Sequence, residues 1–418
     1  MRNPAPRLPD RLGVVCADAG RNVIIADGTA SEVSVRNVTV FLTDLSGGGA
    51  ERAMLDLATG MARRGRRVEL VLASATGPYL ADVTEDVRLV DLDVGRASRA
   101  IAPLAAHLRS ERPDVLFTTL HHTSLVASLA RTLARTSTTL FLREATTVSA
   151  RPIPANDLRQ RAKRLAMHWA YAVADGVVAV SEGVADDLRQ TFGVPDHKLW
   201  TLYTPVVTDD VKRLASLDPE HPWFVPDAPP VVLGVGRLRD HKGFMSLIEA
   251  FTKVRATRPM RLVLLGEGEQ RSALERHAFE LGVGDDVELP GFVSNPFAFM
   301  SRSSVYVLSS AFEGLPGTLI QAMACGCPVV ATDCRSGPRE ILEDGRYGEL
   351  VPVGDVEAMA RAIGSVLDEP PPPDRLRERA SKFASEPVVA AHLAAFEATI
   401  QRRTSARPGR ARRPMSAP

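Results

Sequence analysis

Five Pro between residues 218 and 230 divide this chain into two stretches that repeat one pattern. Before the break, short apolar runs rich in β-branched residues at 38–42, 68–72, 115–117, 140–142 and 177–180 alternate with segments of helical period. After it the alternation restarts at 231–235 and continues through 262–265, 287–289, 305–308 and 328–331. Runs this short with no polar face are predicted as strands covered on both sides. Strands separated by helices run parallel in an open sheet, and ligands bind beyond the carboxyl ends of its strands. The expectation is an α/β chain with two doubly wound, Rossmann-like domains, 37–217 and 231–385, joined by a linker at 218–230 and facing each other across a cleft. Its 418 residues, 45% hydrophobic, can supply two cores.

The flanks read differently. Residues 1–36 carry short apolar pieces broken by Gly and Asp and are expected as an N-terminal extension. A last helix at 386–402 is placed to cross back to the first domain. Residues 403–418, rich in Arg, Pro, Gly and Ser, are expected as a disordered basic tail. Lys and Arg total 51 against 50 Asp and Glu, and aromatics are 5%, which disfavours nucleic acid as a partner. Four Cys are too few for a disulfide framework. The start of the chain holds Arg2, Arg7 and Arg11 without the apolar run of a signal peptide. The longest apolar stretch, 165–180, contains His168 and Asp175 and falls short of the ~20 residues a span needs. The expected location is the cytoplasm. Arg159, Arg161, Lys163 and Arg164 precede Leu165, Met167, Trp169 and Tyr171. On a helix that segment is either a peripheral contact with an anionic membrane or a solvated face, and the sequence leaves both open.

Three motifs carry chemistry. Gly47-Gly48-Gly49-Ala50-Glu51-Arg52 follows a strand and opens a helix. Gly lets a ligand approach the backbone, and a helix N-terminus favours an anion. A dinucleotide fingerprint needs Gly at the sixth place, where Arg52 stands, so that reading fails. The alternative is a tight turn without a ligand. Next, Gly234-Val235-Gly236-Arg237-Leu238 precedes Lys242-Gly243. A planar guanidinium and an ammonium framed by Gly suit a diphosphate. Asp240 and His241 make a local salt bridge the competing reading. Third, Glu313-Gly314-Leu315-Pro316-Gly317-Thr318 leads into a helix that carries Gln321. The backbone at Leu315, Pro316, Gly317 and Thr318, with its free amides and the helix dipole, would hold phosphate, and Glu313 and Gln321 would hold hydroxyls, unless Glu313 only caps the helix.

These motifs in this order resemble the retaining GT-B glycosyltransferases of family four over roughly residues 38–400. The stretch 313–342, with Ala322-Met323-Ala324-Cys325-Gly326-Cys327-Pro328 and Ser336-Gly337-Pro338-Arg339-Glu340, looks like the signature of the family's second domain. The resemblance implies transfer of a sugar from a nucleotide sugar, a UDP-sugar favoured, to a polysaccharide or lipid-linked saccharide acceptor with retained configuration. Arg237 and Lys242 would bind the donor diphosphate, with Gly236 in their frame, and Glu313 would contact the donor sugar. Gln321 stands where the family usually has a second Glu on the ribose. Phe292 and Val293 would lie near the base, and Gly48 and Gly49 would line the donor from the first domain. His121, or its neighbour His122, stands where family members often carry an active-site His, with a satisfied surface His as the competing reading. Arg237, Lys242 and the helix N-terminus would stabilise charge growing on the leaving diphosphate. No Asp-x-Asp pair lies on such a loop, so neither a metal nor another cofactor is expected. Cys325, Cys327 and Cys334 lack the spacing of a zinc site and are expected as packing residues. Two other classes stay open: a nucleotide-sugar epimerase of the same fold, and a catalytically inactive binding subunit, for which Gln321 argues.

Overall fold

A computed structural model describes residues 34–46, 48–150, 158–208 and 210–405. The first sheet contains β1 (Asn37–Leu42), β2 (Arg67–Leu72), β3 (Val87–Asp91), β4 (Val115–Thr119), β5 (Thr139–Glu144), β6 (Gly176–Ala179) and β7 (Leu199–Thr201). The second contains β8 (Val231–Val235), β9 (Arg261–Leu265), β10 (Val287–Gly291), β11 (Val305–Leu308), β12 (Val329–Thr332) and β13 (Glu349–Val351). Their orders are β3-β2-β1-β4-β5-β6-β7 and β10-β9-β8-β11-β12-β13. Every strand pair within these sheets is parallel. Both sheets are therefore doubly wound, and each reverses direction once, between β1 and β4 and between β8 and β11. At such a switch point neighbouring loops diverge and leave a crevice.

Central strands are buried along their length, as their unbroken apolar runs require. Phe41, Leu116, Leu140 and Leu142 face one layer of helices, while Val40, Phe117 and Phe141 face the other. Three strands have no counterpart among those expected from sequence: β3, β7 and β13. β3 is an edge strand with mostly exposed or half-exposed residues, and β7 and β13 have three residues each. Too short or too polar, they carry no apolar run to read.

The boundary between domains differs from the sequence expectation. Val206 and Val211 are buried in the second domain's core, and Val206 N–H donates to Phe383 O at 3.1 Å. The Pro-rich segment 218–230 is packed: Phe224 meets Phe299 edge-on with ring centroids 5.2 Å apart, and His221 joins the same cluster. The helix Ser385–Ser405 lies on the first domain, burying Val388, Val389, Leu393 and Phe396 against Phe117 and Phe141. Gly60 permits this approach, since a Cβ there would stand 2.5 Å from a Val389 methyl. Of the expected extension, Val35 is core and residues 1–33 lie outside the described residues. Of the expected tail, Arg403 belongs to the last helix and donates to Thr139 Oγ1 at 2.7 Å, while 406–418 lie outside.

Candidate active site

The loops after β1, β8 and β11, into which the three chemical motifs read from sequence fall, lie at the two switch points, whereas Phe292 and Val293 follow the edge strand β10. In the second domain, β8 ends at Val235 and the loop after it carries Gly236, Arg237 and Lys242. That loop is pinned to its neighbours. Ser309 Oγ, beyond β11, donates to Lys242 O at 2.7 Å, and Ala311 N–H donates to His241 O at 2.7 Å. Gly243 has φ +66°, and a Cβ there would collide with Ser309 O, so only Gly fits. The His241 ring stacks on Phe312, with centroids 4.8 Å apart.

The backbone thus brings Lys242 to Glu313, and Lys242 Nζ donates to Glu313 Oε1 at 2.7 Å. Their side chains are 20% and 14% exposed. Neither of the alternatives weighed for these residues, a salt bridge to Asp240 and a helix cap, is formed among the described residues. Lys242 pairs across the loops and not with Asp240. Glu313 does not cap the helix Gly317–Ala324, whose N-cap is Pro316 and which has no side-chain cap. Arg237 is exposed. Among the described residues, neither its guanidinium nor the Gln321 amide makes a side-chain hydrogen bond or ion pair. Thr318 Oγ1 shares a hydrogen bond with the buried Tyr306 hydroxyl at 2.7 Å, which fixes its side chain at the start of the helix. Gly317 has room, with only Val206 methyls 3.6 Å or more from a Cβ there. Phe292 is 82% exposed beyond β10, and Val293 packs on the core beneath.

In the first domain the helix Gly49–Arg63 starts at the end of β1 with Gly48 as N-cap. The Glu51 carboxylate folds over Gly48, while the space above Gly49 is open. Gly47 lies outside the described residues. Across the switch point, Leu120 takes φ +72° and His121 opens the helix His121–Ala134. The structure separates the His doublet. His121 Nε2 stands 3.2 Å from Glu144 Oε2, and His122 Nε2 stands 2.8 Å from Thr43 Oγ1. Burial holds the His122 ring below its usual pKa.

The two halves meet beside Glu313. Thr146 and Gly314 form an antiparallel bridge, and a Cβ on Gly314 would collide with Ala145 O. Thr147 Oγ1 donates to Glu313 O at 2.9 Å, and Ser181 Oγ donates to Gly314 O at 2.8 Å. Leu315 packs against the cores of both domains. Glu182 N–H donates to Glu340 Oε2 at 2.9 Å, and burial pushes the Glu340 carboxyl up to about 7. Cys325, Cys327 and Cys334 are buried thiols, and burial pushes Cys325 and Cys334 up to about 12.

Residues 47–210 match the family described as Glycosyltransferase Family 4, and residues 220–383 match Glycosyl transferases group 1. The chain is 30% identical over 265 residues to a Campylobacter jejuni N-acetylgalactosamine-N,N'-diacetylbacillosaminyl-diphospho-undecaprenol 4-alpha-N-acetylgalactosaminyltransferase, covering 63% of this chain and 69% of that protein. The chain belongs to the family 4 glycosyltransferases. Three other curated relatives are spanned over 28%, 48% and 53% of their lengths. Among solved structures, the lipopolysaccharide outer core galactosyltransferase WaaB superposes with TM-score 0.67 at 20% identity, covering 88% of this chain and 99% of that one. Anabaena HepE, solved in complex with UDP, superposes with TM-score 0.65 at 19% identity and the same coverages. These likenesses identify the fold of the glycosyltransferase as GT-B.

Sequence reading missed Glu144, Tyr171, Thr147 and Ser181 as parts of the cleft. Only Glu144 left a signal: two charges, Arg143 and Glu144, close an otherwise apolar strand at its carboxyl end. Thr147 and Ser181 act through contacts between domains, and Tyr171 through a bond to Glu144 on a distant strand, none of which a local pattern encodes.

Proposed function

We propose that this glycosyltransferase moves a hexose from a UDP-sugar to a hydroxyl of a polysaccharide or lipid-linked saccharide, with retention and without a metal. The observation that carries this reading is the Lys242–Glu313 pair, set between the exposed Arg237 and the N-terminus of the helix Gly317–Ala324. When the glycosidic bond opens, negative charge grows on the leaving diphosphate. Two cations and a fan of amides fixed in advance stabilise that charge without reorganising. Lys242 is kept oriented by Glu313 until a diphosphate shares it, and Glu313 then turns to the sugar. The UDP complex of HepE and the undecaprenol-linked substrate named for the Campylobacter relative support the donor and acceptor classes.

The enzyme meets its acceptor at the inner face of the cytoplasmic membrane. Among the described residues no helix is long and apolar enough to cross a membrane. The helix Leu158–Val173 instead has two apolar faces. Met167, Ala170 and Tyr171 point inward. Leu158, Leu165 and Trp169, at helical spacing on the other side, are 77%, 72% and 37% exposed. Arg159, Arg161, Lys163 and Arg164 flank that stripe, a pairing suited to an anionic lipid surface. Leu129 and Leu133 extend the exposed apolar area on the packed neighbouring helix.

A UDP-sugar panel tests the function, with UDP release and product NMR read with and without an undecaprenyl-diphosphate saccharide and with and without EDTA. Retained configuration and activity in EDTA are expected. An inverted product removes the retaining mechanism, an epimerised sugar supports the epimerase, and a strict need for Mg²⁺ or Mn²⁺ contradicts the site.

A further inference from the structure

His121 is backed by a buried carboxylate, that of Glu144. Glu144 ends β5 and is 2% exposed. Tyr171, from the inner face of the helix Leu158–Val173, donates its hydroxyl to Glu144 Oε1 at 2.7 Å. The other oxygen, Oε2, stands 3.2 Å from His121 Nε2. Burial and the neighbouring carboxylate hold the Tyr171 phenol well above its usual range, so it remains a donor. Arg143, one residue earlier, projects to the other face of the sheet and donates to Thr204 Oγ1 at 2.6 Å.

A carboxylate only accepts hydrogen bonds. The nitrogen facing it must therefore carry the proton, which in the neutral ring leaves the lone pair on Nδ1. His122 has no such backing. Its Nε2 meets a hydroxyl that can donate or accept, and the acidic groups that act on it are Glu51 and Asp44. The asymmetry within the doublet is chemical: one ring has its tautomer fixed and the other does not.

We propose that Glu144 is a positioning residue that fixes His121 as the Nε2–H tautomer and so makes Nδ1 a hydrogen-bond acceptor for a substrate hydroxyl. Tyr171 holds the carboxylate in place for that task. The hydroxyl's identity as part of a sugar rests on the glycosyl-transfer reading, whereas the tautomer does not.

The test uses the full chain with ¹⁵N-labelled His, the His121 signals being assigned by their loss in His121→Ala. Wild type should show Nε2 protonated and Nδ1 bare. Glu144→Gln keeps the size of the side chain but can turn an N–H toward Nε2, so the tautomer should switch. Tyr171→Phe keeps the carboxylate and should leave the tautomer unchanged. In the transfer assay Glu144→Gln should lower kcat/KM roughly ten- to hundredfold, the scale of one hydrogen bond to a charged group. It should cause no further loss in a His121→Ala background. An Nδ1–H tautomer in wild type, an unchanged tautomer in Glu144→Gln, or an equal loss with and without His121 overturns the proposal. If wild type transfers no sugar, the glycosyl-transfer reading fails while the NMR result still decides the role of Glu144.

Discussion

Replacing Lys242 and Arg237 in turn by Ala separates two roles that the structure assigns differently to the two cations. Each should lower donor turnover by about two to three orders of magnitude, the scale for removing one preorganised electrostatic group. Their effects on stability should diverge. Arg237 is exposed and its guanidinium has no partner among the described residues, so its truncation should change stability by less than about 0.5 kcal/mol. Lys242 holds Glu313 at 2.7 Å with both side chains mostly covered. An exposed pair contributes ~0–1 kcal/mol, and breaking a fully buried one costs ~3–5. At 20% and 14% exposure this pair lies between, nearer the exposed limit because water reaches both groups: about 1–2 kcal/mol. For a domain of this size that lowers Tm by roughly 2–8 °C. Lys242→Ala, Glu313→Ala should recover part of the loss, because the stranded carboxylate is gone. Thermal scans and donor turnover on the same preparations decide it. Equal Tm for all variants refutes the pair as a structural contact, and near-normal turnover in both single variants refutes the diphosphate site.

Three further outcomes follow from named contacts. Gln321→Glu should tighten donor binding roughly tenfold with little change in kcat, the gain from a neutral to a charged hydrogen bond to the ribose; unchanged affinity in both Gln321→Glu and Gln321→Ala removes Gln321 from the donor pocket. Gly314→Ala drives a Cβ into Ala145 O and should cost about 1–3 kcal/mol and loosen the contact between domains, read as faster proteolysis; a neutral effect contradicts the close packing at 313–314. Glu340, raised by burial from 4.5 to about 7, favours the folded state in its neutral form. Its contribution is fully present below pH about 4.5 and is lost as pH rises through about 7. Glu340→Gln should therefore gain Tm relative to wild type between pH 5 and pH 8, and parallel Tm–pH curves contradict that protonation.

Much of this architecture is written locally. The short runs of β1, β4, β8 and β11 are rich in apolar residues on both faces because these strands are covered on both sides, and the motif-bearing loops follow directly from them. What the sequence hides is made by distant partners. β3 pairs only along one edge and keeps polar residues, so no period marks it. Val206 and Val211 look like the end of the first domain but bury in the second. The meeting of Lys242 with Glu313 depends on the spatial adjacency of β8 and β11, which are far apart in the chain. Glu144 is similar: only the β4–β5 pairing and a helix two elements on give it His121 and Tyr171 as neighbours.

The most direct test of the donor site is calorimetric titration of UDP into wild type and into the double variant Arg237→Ala, Lys242→Ala. If these two cations and the following helix N-terminus hold the diphosphate, wild type takes up UDP saturably at one site per chain. The double variant should then bind at least about a hundredfold more weakly, on the scale of two lost charge-assisted hydrogen bonds. Absence of saturable binding by wild type, or equal affinity in the double variant, contradicts the account.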